Sequence, residues 1–462
     1  MSKTVVIIGG GPGGMATASR VKRLKPEYNV VVFEKTRWVS FALCGTPYYV
    51  GGVVKKIEHL MHYKPEYFIK NRGIDLRIRH KVESIDPNTR TVEYVNLETG
   101  EKGKVEYDYL VIATGARPRA YDFFPEIKDI EGVFTLSHLD DAEKLKNYIE
   151  KLGSGKKAVV VGAGYIGLEV AEALVERGFK VTVSEMFNQV LPKALDPDFA
   201  KTVQEHLRMH GVEVLLGAKT TGFKADENGR LVGIETDKGF LEADVAVVGV
   251  GIRPNTELAQ MVGAKIGQTR AVWTDEHTET SVKGVYAVGD VAETTHLVTK
   301  ERIWAAFATN ANKMGYVAGT NIGGREAVYK GTALTAATQI FGLVVARTGL
   351  GEEEAKKKGY NVVTVALRSN SRPAYMGDVE VVRFKVIADA DTGKLLGAQA
   401  IGDQSAFWRV NVIAALLERE GTVWDLFQAD IGYHPYLNPV WDPIIVAGRL
   451  FQRQLGETPR KV

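Results

Sequence analysis

The chain has 462 residues, 45% of them hydrophobic and 25% charged, and carries a formal net charge of +3. That length calls for two to four domains, and the charge is too small to mark a nucleic-acid or membrane-surface partner. One cysteine, Cys44, excludes an internal disulfide scaffold and fits a reducing, cytoplasmic compartment. No apolar run approaches the roughly 18 residues that cross a membrane. The N-terminal segment lacks the apolar core and cleavage site of a signal peptide. No metal site is expected.

In chain order, the first element is an apolar, β-branched run from Val5 to Ile8, which reads as a buried parallel strand. Gly9, Gly11 and Gly14 follow as G-x-G-x-x-G, with a helix starting inside the motif. The first glycine permits the tight turn, the second lets a pyrophosphate reach the backbone, and the third lets helix and strand pack closely. The next strand, Val30 to Phe33, ends at Glu34 and Lys35, where a carboxylate can accept from a ribose diol. The second copy is KAVVVGAGYIGLEVAEALVERGFKVTVSE, with Gly162, Gly164 and Gly167 around Tyr165 and Ile166, and Glu185 closing its second strand. A lone motif of this kind is weak evidence; two copies, each between strand and helix and each followed by an acid, predict two dinucleotide sites.

Further on, apolar strands end at Ala113-Thr114-Gly115 and at Gly289-Asp290, and AAFATNANKMGYVAGTNIGG (305–324) reads as an Ala-rich helix. Beyond Lys330 the pattern changes to strands followed by helices, with Asp391-Thr392-Gly393-Lys394 as a hairpin turn.

Together these motifs resemble the FAD- and NAD-linked pyridine nucleotide-disulfide oxidoreductases over essentially the whole chain. The resemblance implies an α/β fold with two Rossmann-like dinucleotide-binding domains, one for FAD and one for NAD, plus a C-terminal α+β dimerisation domain. The expected limits are 1–118 and 250–328 for a split FAD domain, 119–249 for the NAD(P)H domain and 329–462 for the interface domain. FAD is then expected at the first fingerprint, at Ala113-Thr114-Gly115, at Gly251 on the return crossing, at Gly289-Asp290 and at Ala306 ahead of the helix. A nicotinamide nucleotide is expected at the second. Glu185 favours a free 2′-hydroxyl, and Met186-Phe187-Asn188-Gln189 offers no arginine for a 2′-phosphate, so NADH is expected ahead of NADPH.

Cys44 lies in SFALCGTPYYVGG, ten residues after Glu34. Disulfide reductases of the dithiol type carry C-x4-C here; this chain has Val39 and Tyr49 at the two possible partner positions, which removes that mechanism. The segment resembles the single-cysteine branch of the family: CoA-disulfide reductases, NADH oxidases and peroxidases, and NAD(P)H sulfur or polysulfide reductases. In that branch the thiolate of Cys44 would attack a disulfide or persulfide sulfur, its pKa lowered by a helix N-terminus and the nearby flavin. Pro12 stands where peroxidases carry a histidine, which favours sulfur over peroxide. The resemblance places Thr17, Arg20, Arg23, Ser40 and Phe41 near a CoA substrate, with Lys22 adding charge; a solvated helix face is the alternative for the basic three. It also supplies Tyr375 and Tyr433 from the partner subunit of a homodimer as proton donors, with buried interface tyrosines as the alternative and His434 as a secondary candidate. Leu43 replaces the asparagine common in CoA-disulfide reductases, and Met376 replaces a proline after Tyr375. CoA disulfide, CoA persulfide and polysulfide remain open as substrates, with CoA as a further ligand. Oxygen reduction at the flavin, electron transfer to an iron–sulfur protein and a nucleotide-sensing role are the other readings.

Overall fold

The computed structural model describes residues 2–458; residues 459–462, the last of the expected interface domain, lie outside the described residues. Three five-stranded sheets organise the chain. The first is parallel throughout, in the order Val285–Ala287, Tyr109–Ile112, Thr4–Ile8, Asn29–Glu34, Asp75–Ile78. Its central strand is sealed, with Val5, Val6 and Ile7 at 0% exposure, as expected for a parallel sheet covered on both faces. The second repeats the plan in the order Glu213–Leu216, Lys180–Glu185, Lys157–Val161, Val245–Val248, Val133–Phe134, again parallel. It is inserted between strands of the first: Tyr109–Ile112 precedes it and Val285–Ala287 follows it. The two crossings run side by side, since Ala116–Pro118 pairs antiparallel with Ile252–Pro254.

The third sheet is antiparallel, in the order Ala336–Ile340, Leu343–Gly349, Leu395–Gly402, Val381–Asp389, Val362–Asn370. The turn at Asp391–Lys394 joins two of its strands, with Gly393 at φ +70° and the Thr392 hydroxyl donating to Asp389 at 2.6 Å. Helices Gln404–Glu418 and Pro443–Leu455 pack against this sheet through one shared apolar core. The fold is therefore mixed α/β, with two dinucleotide-type sheets and an antiparallel C-terminal sheet.

One helix crossing positions the first fingerprint. Helix Pro12–Leu24 lies against helix Ala308–Ile322 with almost no side chain between them. A Cβ at Gly319 would sit 2.8 Å from the Thr17 carbonyl, and one at Gly315 would run into the Gly13 carbonyl. The glycines thus let two backbones touch, and this contact buries Thr17 completely.

Candidate active site

The two fingerprints fold alike. Gly9 and Gly162 have φ of +115° and +103°, a region L side chains rarely enter. At the second glycine of each copy there is room: a Cβ at Gly164 meets nothing within 4 Å, and one at Gly11 meets only Phe41 at 4.0 Å. No side chain caps the helix that begins after either glycine, so the first-turn amides stay free for an anion. Open space at this one position, beside uncapped amides, fits a pyrophosphate at both sites.

The two acids also match. Glu34 Oε2 accepts from the Gly10 amide at 2.8 Å, and Oε1 accepts from the Thr36 amide and hydroxyl, both at 2.8 Å. Glu185 repeats this with the amides of Ala163 (2.8 Å) and Phe187 (2.9 Å). Each carboxylate therefore braces its own glycine loop.

Both loops open into one cavity of about 1820 Å³, larger than the common range of roughly 300–1,000 Å³ for small-molecule pockets. Its walls include Gly9, Gly11, Glu34, Lys35, Ser40, Phe41 and Cys44 from the first unit, and Gly164, Tyr165, Ile166 and Gly167 from the second. Ala113, Thr114, Gly115, Gly251, Gly289, Asp290 and Ala306 also line it. Gly14, Gly162 and Glu185 stand behind this wall and shape it. Thr114-Gly115 is clamped to the return crossing: the Thr114 hydroxyl donates to the Asn255 carbonyl at 2.7 Å, and the Asn255 side chain donates back at 2.8 Å. Burial pushes the Asp290 carboxyl up to about 6, and the Trp304 indole donates to the Asp290 carbonyl at 2.8 Å.

Cys44 sits in a short 3-10 turn, Leu43–Gly45, that leads into helix Thr46–Gly51. The loop before it is held at both ends. The Ser40 amide donates to Gly10 (2.9 Å), and the Ala42 amide donates to Leu60 (2.7 Å). Ser40 adopts φ +49°, a strained value for a non-glycine residue. The Cys44 side chain opens into the cavity, while protein atoms enclose it elsewhere. The expected lowering of its pKa by a helix N-terminus is not found in the protein alone. Burial pushes the thiol up, and the carboxylates of Glu169 and Asp290 push it further in the same direction.

The expected CoA contacts divide. Ser40 and Phe41 line the cavity. Thr17 does not: it is 0% exposed and its hydroxyl donates to the Gly13 carbonyl at 2.9 Å, because the helix crossing covers it. Arg20 also lies outside the cavity wall, stacked over Tyr316 at 4.3 Å and donating to Thr320 at 2.9 Å. Lys22 is spent on the carbonyls of Pro26 and Tyr28, and Arg23 is on the solvent face. Tyr375 and Tyr433 meet, with hydroxyls 3.1 Å apart, on an exposed face of the third sheet's unit and away from their own chain's cavity. His434 is exposed, and its Nδ1 accepts from the Tyr436 amide at 3.3 Å.

Three residues escape the sequence reading. Glu169, an acid on the apolar second-fingerprint helix, lines the cavity and accepts from the Thr338 hydroxyl at 2.6 Å. His138 lines it too, edge-on to Phe41 with ring centroids 5.2 Å apart. Lys238 reaches from a distant hairpin to the Leu216 carbonyl (2.6 Å), beside Asn188 over Gly217. It places a cation near the end of the Glu185 strand, where the local sequence offers none. The acid within an apolar helix was the one visible signal; the other two depend on long-range contacts.

Residues 3–315 match the pyridine nucleotide-disulphide oxidoreductase family, and residues 335–443 match that family's dimerisation domain. The chain belongs to this family. It is an oxidoreductase of the group that works with FAD and NAD(P)H. The NAD(P)H sulfur oxidoreductase (CoA-dependent) of Pyrococcus furiosus is 44% identical over 453 residues, spanning 97% of this chain and 99% of that one. The NAD(P)H coenzyme A polysulfide/persulfide reductase of Pyrococcus horikoshii is 42% identical over 455 residues, spanning 98% and 99%. The solved NAD-dependent persulfide reductase of A. fulgidus superposes with a TM-score of 0.93 at 38% identity, covering 98% of this chain and 83% of that one. Among the described residues of this family member, no helix is long and apolar enough to cross a membrane.

Proposed function

We propose that this oxidoreductase reduces CoA disulfide, CoA persulfide or polysulfide with NAD(P)H through Cys44. The observation that carries this reading is that the chain's single cysteine faces the cavity into which both dinucleotide fingerprints open. Relatives similar over nearly the whole chain are named for sulfur and CoA persulfide chemistry. As a thiolate, Cys44 attacks a sulfur of the substrate; a new S–S bond forms to Cys44, and the distal sulfur leaves with the bonding electrons and takes up a proton. When bound, FAD would supply the electron pair, taken as a hydride from the nicotinamide, that reopens this bond. Gly9, Gly11, Gly14 and Asp290 would hold FAD; Gly162, Gly164, Gly167 and Glu185 would hold the nicotinamide nucleotide.

NADH is the expected donor, and Lys238 offers a cation that also accommodates NADPH. CoA would enter past Ser40 and Phe41. The proton for the leaving sulfur would come from the Tyr375–Tyr433 pair of the partner subunit in a homodimer, consistent with the dimerisation-domain match. Pro12 in the cavity wall carries no group to assist peroxide. The test is anaerobic NADH oxidation by wild type and Cys44→Ser with CoA disulfide and with polysulfide. Loss of both activities in the variant is expected; an unchanged rate would return the chain to the oxidase or electron-transfer reading.

A further inference from the structure

Glu185 ends its strand with both carboxylate oxygens engaged, Oε2 by the Ala163 amide and Oε1 by the Phe187 amide. A carboxylate held there accepts from a ribose 2′-hydroxyl and repels a 2′-phosphate. The neighbouring strand Glu213–Leu216 runs parallel to it, with Leu216 in register opposite Glu185. Past that pair the two backbones stay close: the Ala218 amide donates to the Glu185 carbonyl and the Gly217 amide to the Phe187 carbonyl, both at 2.9 Å. Lys238 comes onto this corner from the turn between strands Leu231–Thr236 and Gly239–Glu242. Its Nζ donates at 2.6 Å to the carbonyl of Leu216, the residue paired with Glu185.

An exposed lysine usually extends into water, and this one is folded back onto a strand end. The Leu216 carbonyl is its one acceptor among the described residues, and no carboxylate there is ion-paired with it. The adjacent Asp237 is occupied by the Lys219 amide at 2.8 Å. Gly217, at φ +61°, leaves a notch between Lys238 and Asn188: a Cβ there would lie 3.2 Å from Lys238 Nζ and 2.7 Å from Asn188 Oδ1. An unpaired ammonium beside a side-chain amide, both bordering an open notch, is a donor set that suits a phosphate.

We propose that Lys238 and the Asn188 amide form a phosphate-reading position at the edge of this site, so that one chain takes both nucleotides. The 2′-hydroxyl of NADH meets Glu185, and the 2′-phosphate of NADPH passes the strand end to the notch at Gly217. This rests on the second fingerprint as the nicotinamide-nucleotide site. It also explains how a site closed by an acid, with no arginine in Met186-Phe187-Asn188-Gln189, tolerates the extra phosphate: the cation arrives from a hairpin about fifty residues along the chain.

The experiment is calorimetric titration of the FAD-loaded protein with NAD+ and with NADP+, oxidised nucleotides that leave the flavin unreduced. Lys238→Met weakens NADP+ about tenfold and leaves NAD+ within about twofold, because the lost contact is to the 2′-phosphate alone. Lys238→Arg keeps most of the NADP+ affinity, and Asn188→Ala loses less of it than Lys238→Met. Added salt weakens NADP+ more in the wild type than in Lys238→Met, since it screens a charge the variant lacks. Lys219→Met, which removes another cation from the same exposed surface, keeps the wild-type ratio of the two affinities. All three positions are exposed, so the variants fold. An unchanged ratio in Lys238→Met overturns the proposal, as does an equal change in Lys219→Met. A wild type that binds NAD+ and not NADP+ overturns it alone; one that binds neither overturns the reading of the second fingerprint.

Discussion

Replacing Asp442 by asparagine tests how the face bearing the two tyrosines is held. Arg409 and Asp442 are 0% and 1% exposed at their side chains, and the guanidinium grips the carboxylate through Nε (3.0 and 3.2 Å) and Nη2 (2.8 Å). The same guanidinium contacts Ser405 and lies 3.5 Å from the Ser371 carbonyl, so it ties together the segments that lead to Tyr375 and Tyr433. Asp442 Oδ1 also caps helix Pro443–Leu455 through the Ile444 amide at 3.0 Å. Asparagine caps about as well as aspartate, so Asp442→Asn isolates the charge. It leaves Arg409 buried and uncompensated, at a cost of about 3–5 kcal/mol. At about 2–4 °C per kcal/mol for a domain of this size, the melting transition falls by roughly 10 °C. Calorimetry of the purified protein measures this. Arg409→Met combined with Asp442→Asn removes the stranded charge and should restore most of the loss. A single variant that loses less than about 1 kcal/mol would show that the pair is not the clamp inferred here.

Further outcomes follow from the same geometry. Gly11→Ala should fold normally, since its Cβ meets only Phe41 at 4.0 Å, yet lose FAD because the methyl fills the cradle; flavin absorbance of the purified protein checks it. Gly14→Ala should instead fail to fold, because its Cβ would run into the Gly9 carbonyl. His296 is 2% exposed and held neutral down to about 4 by burial. Its folded pKa lies below its unfolded value, so its contribution, about 3 kcal/mol, is present above roughly pH 6.5 and lost as pH falls toward 4. Asp290 has the opposite sign: its folded pKa is raised to about 6, so in the cofactor-free protein its ionisation costs stability as pH rises from about 4 through 6. The two partly offset, and Asp290→Asn should therefore steepen the acid loss seen by denaturant unfolding between pH 6.5 and 4; an unchanged slope would contradict the assignment.

The sequence by itself determined what short-range chemistry controls. Glycine spacing between strand and helix specifies both phosphate cradles, because each needs a turn and an open backbone within six residues. Asp391-Thr392-Gly393-Lys394 specifies its hairpin for the same local reason, and the lone cysteine in SFALCGTPYYVGG marks the segment proposed to carry the reactive thiol. What only the tertiary structure decided involves residues far apart in the chain. Thr17 looks available on its helix, yet the glycine face of Ala308–Ile322 covers it. Arg20 and Lys22 look like free charge until Thr320, Tyr316 and nearby carbonyls occupy them. Tyr375 and Tyr433 join across 58 residues, Lys238 reaches the strand beside Glu185 from a separate hairpin, and Glu169 of the second-fingerprint helix meets Thr338 of the C-terminal sheet. Side-chain charge and hydrogen bonding act over a few ångströms of space, and chain order carries little record of which distant backbones will be brought that close.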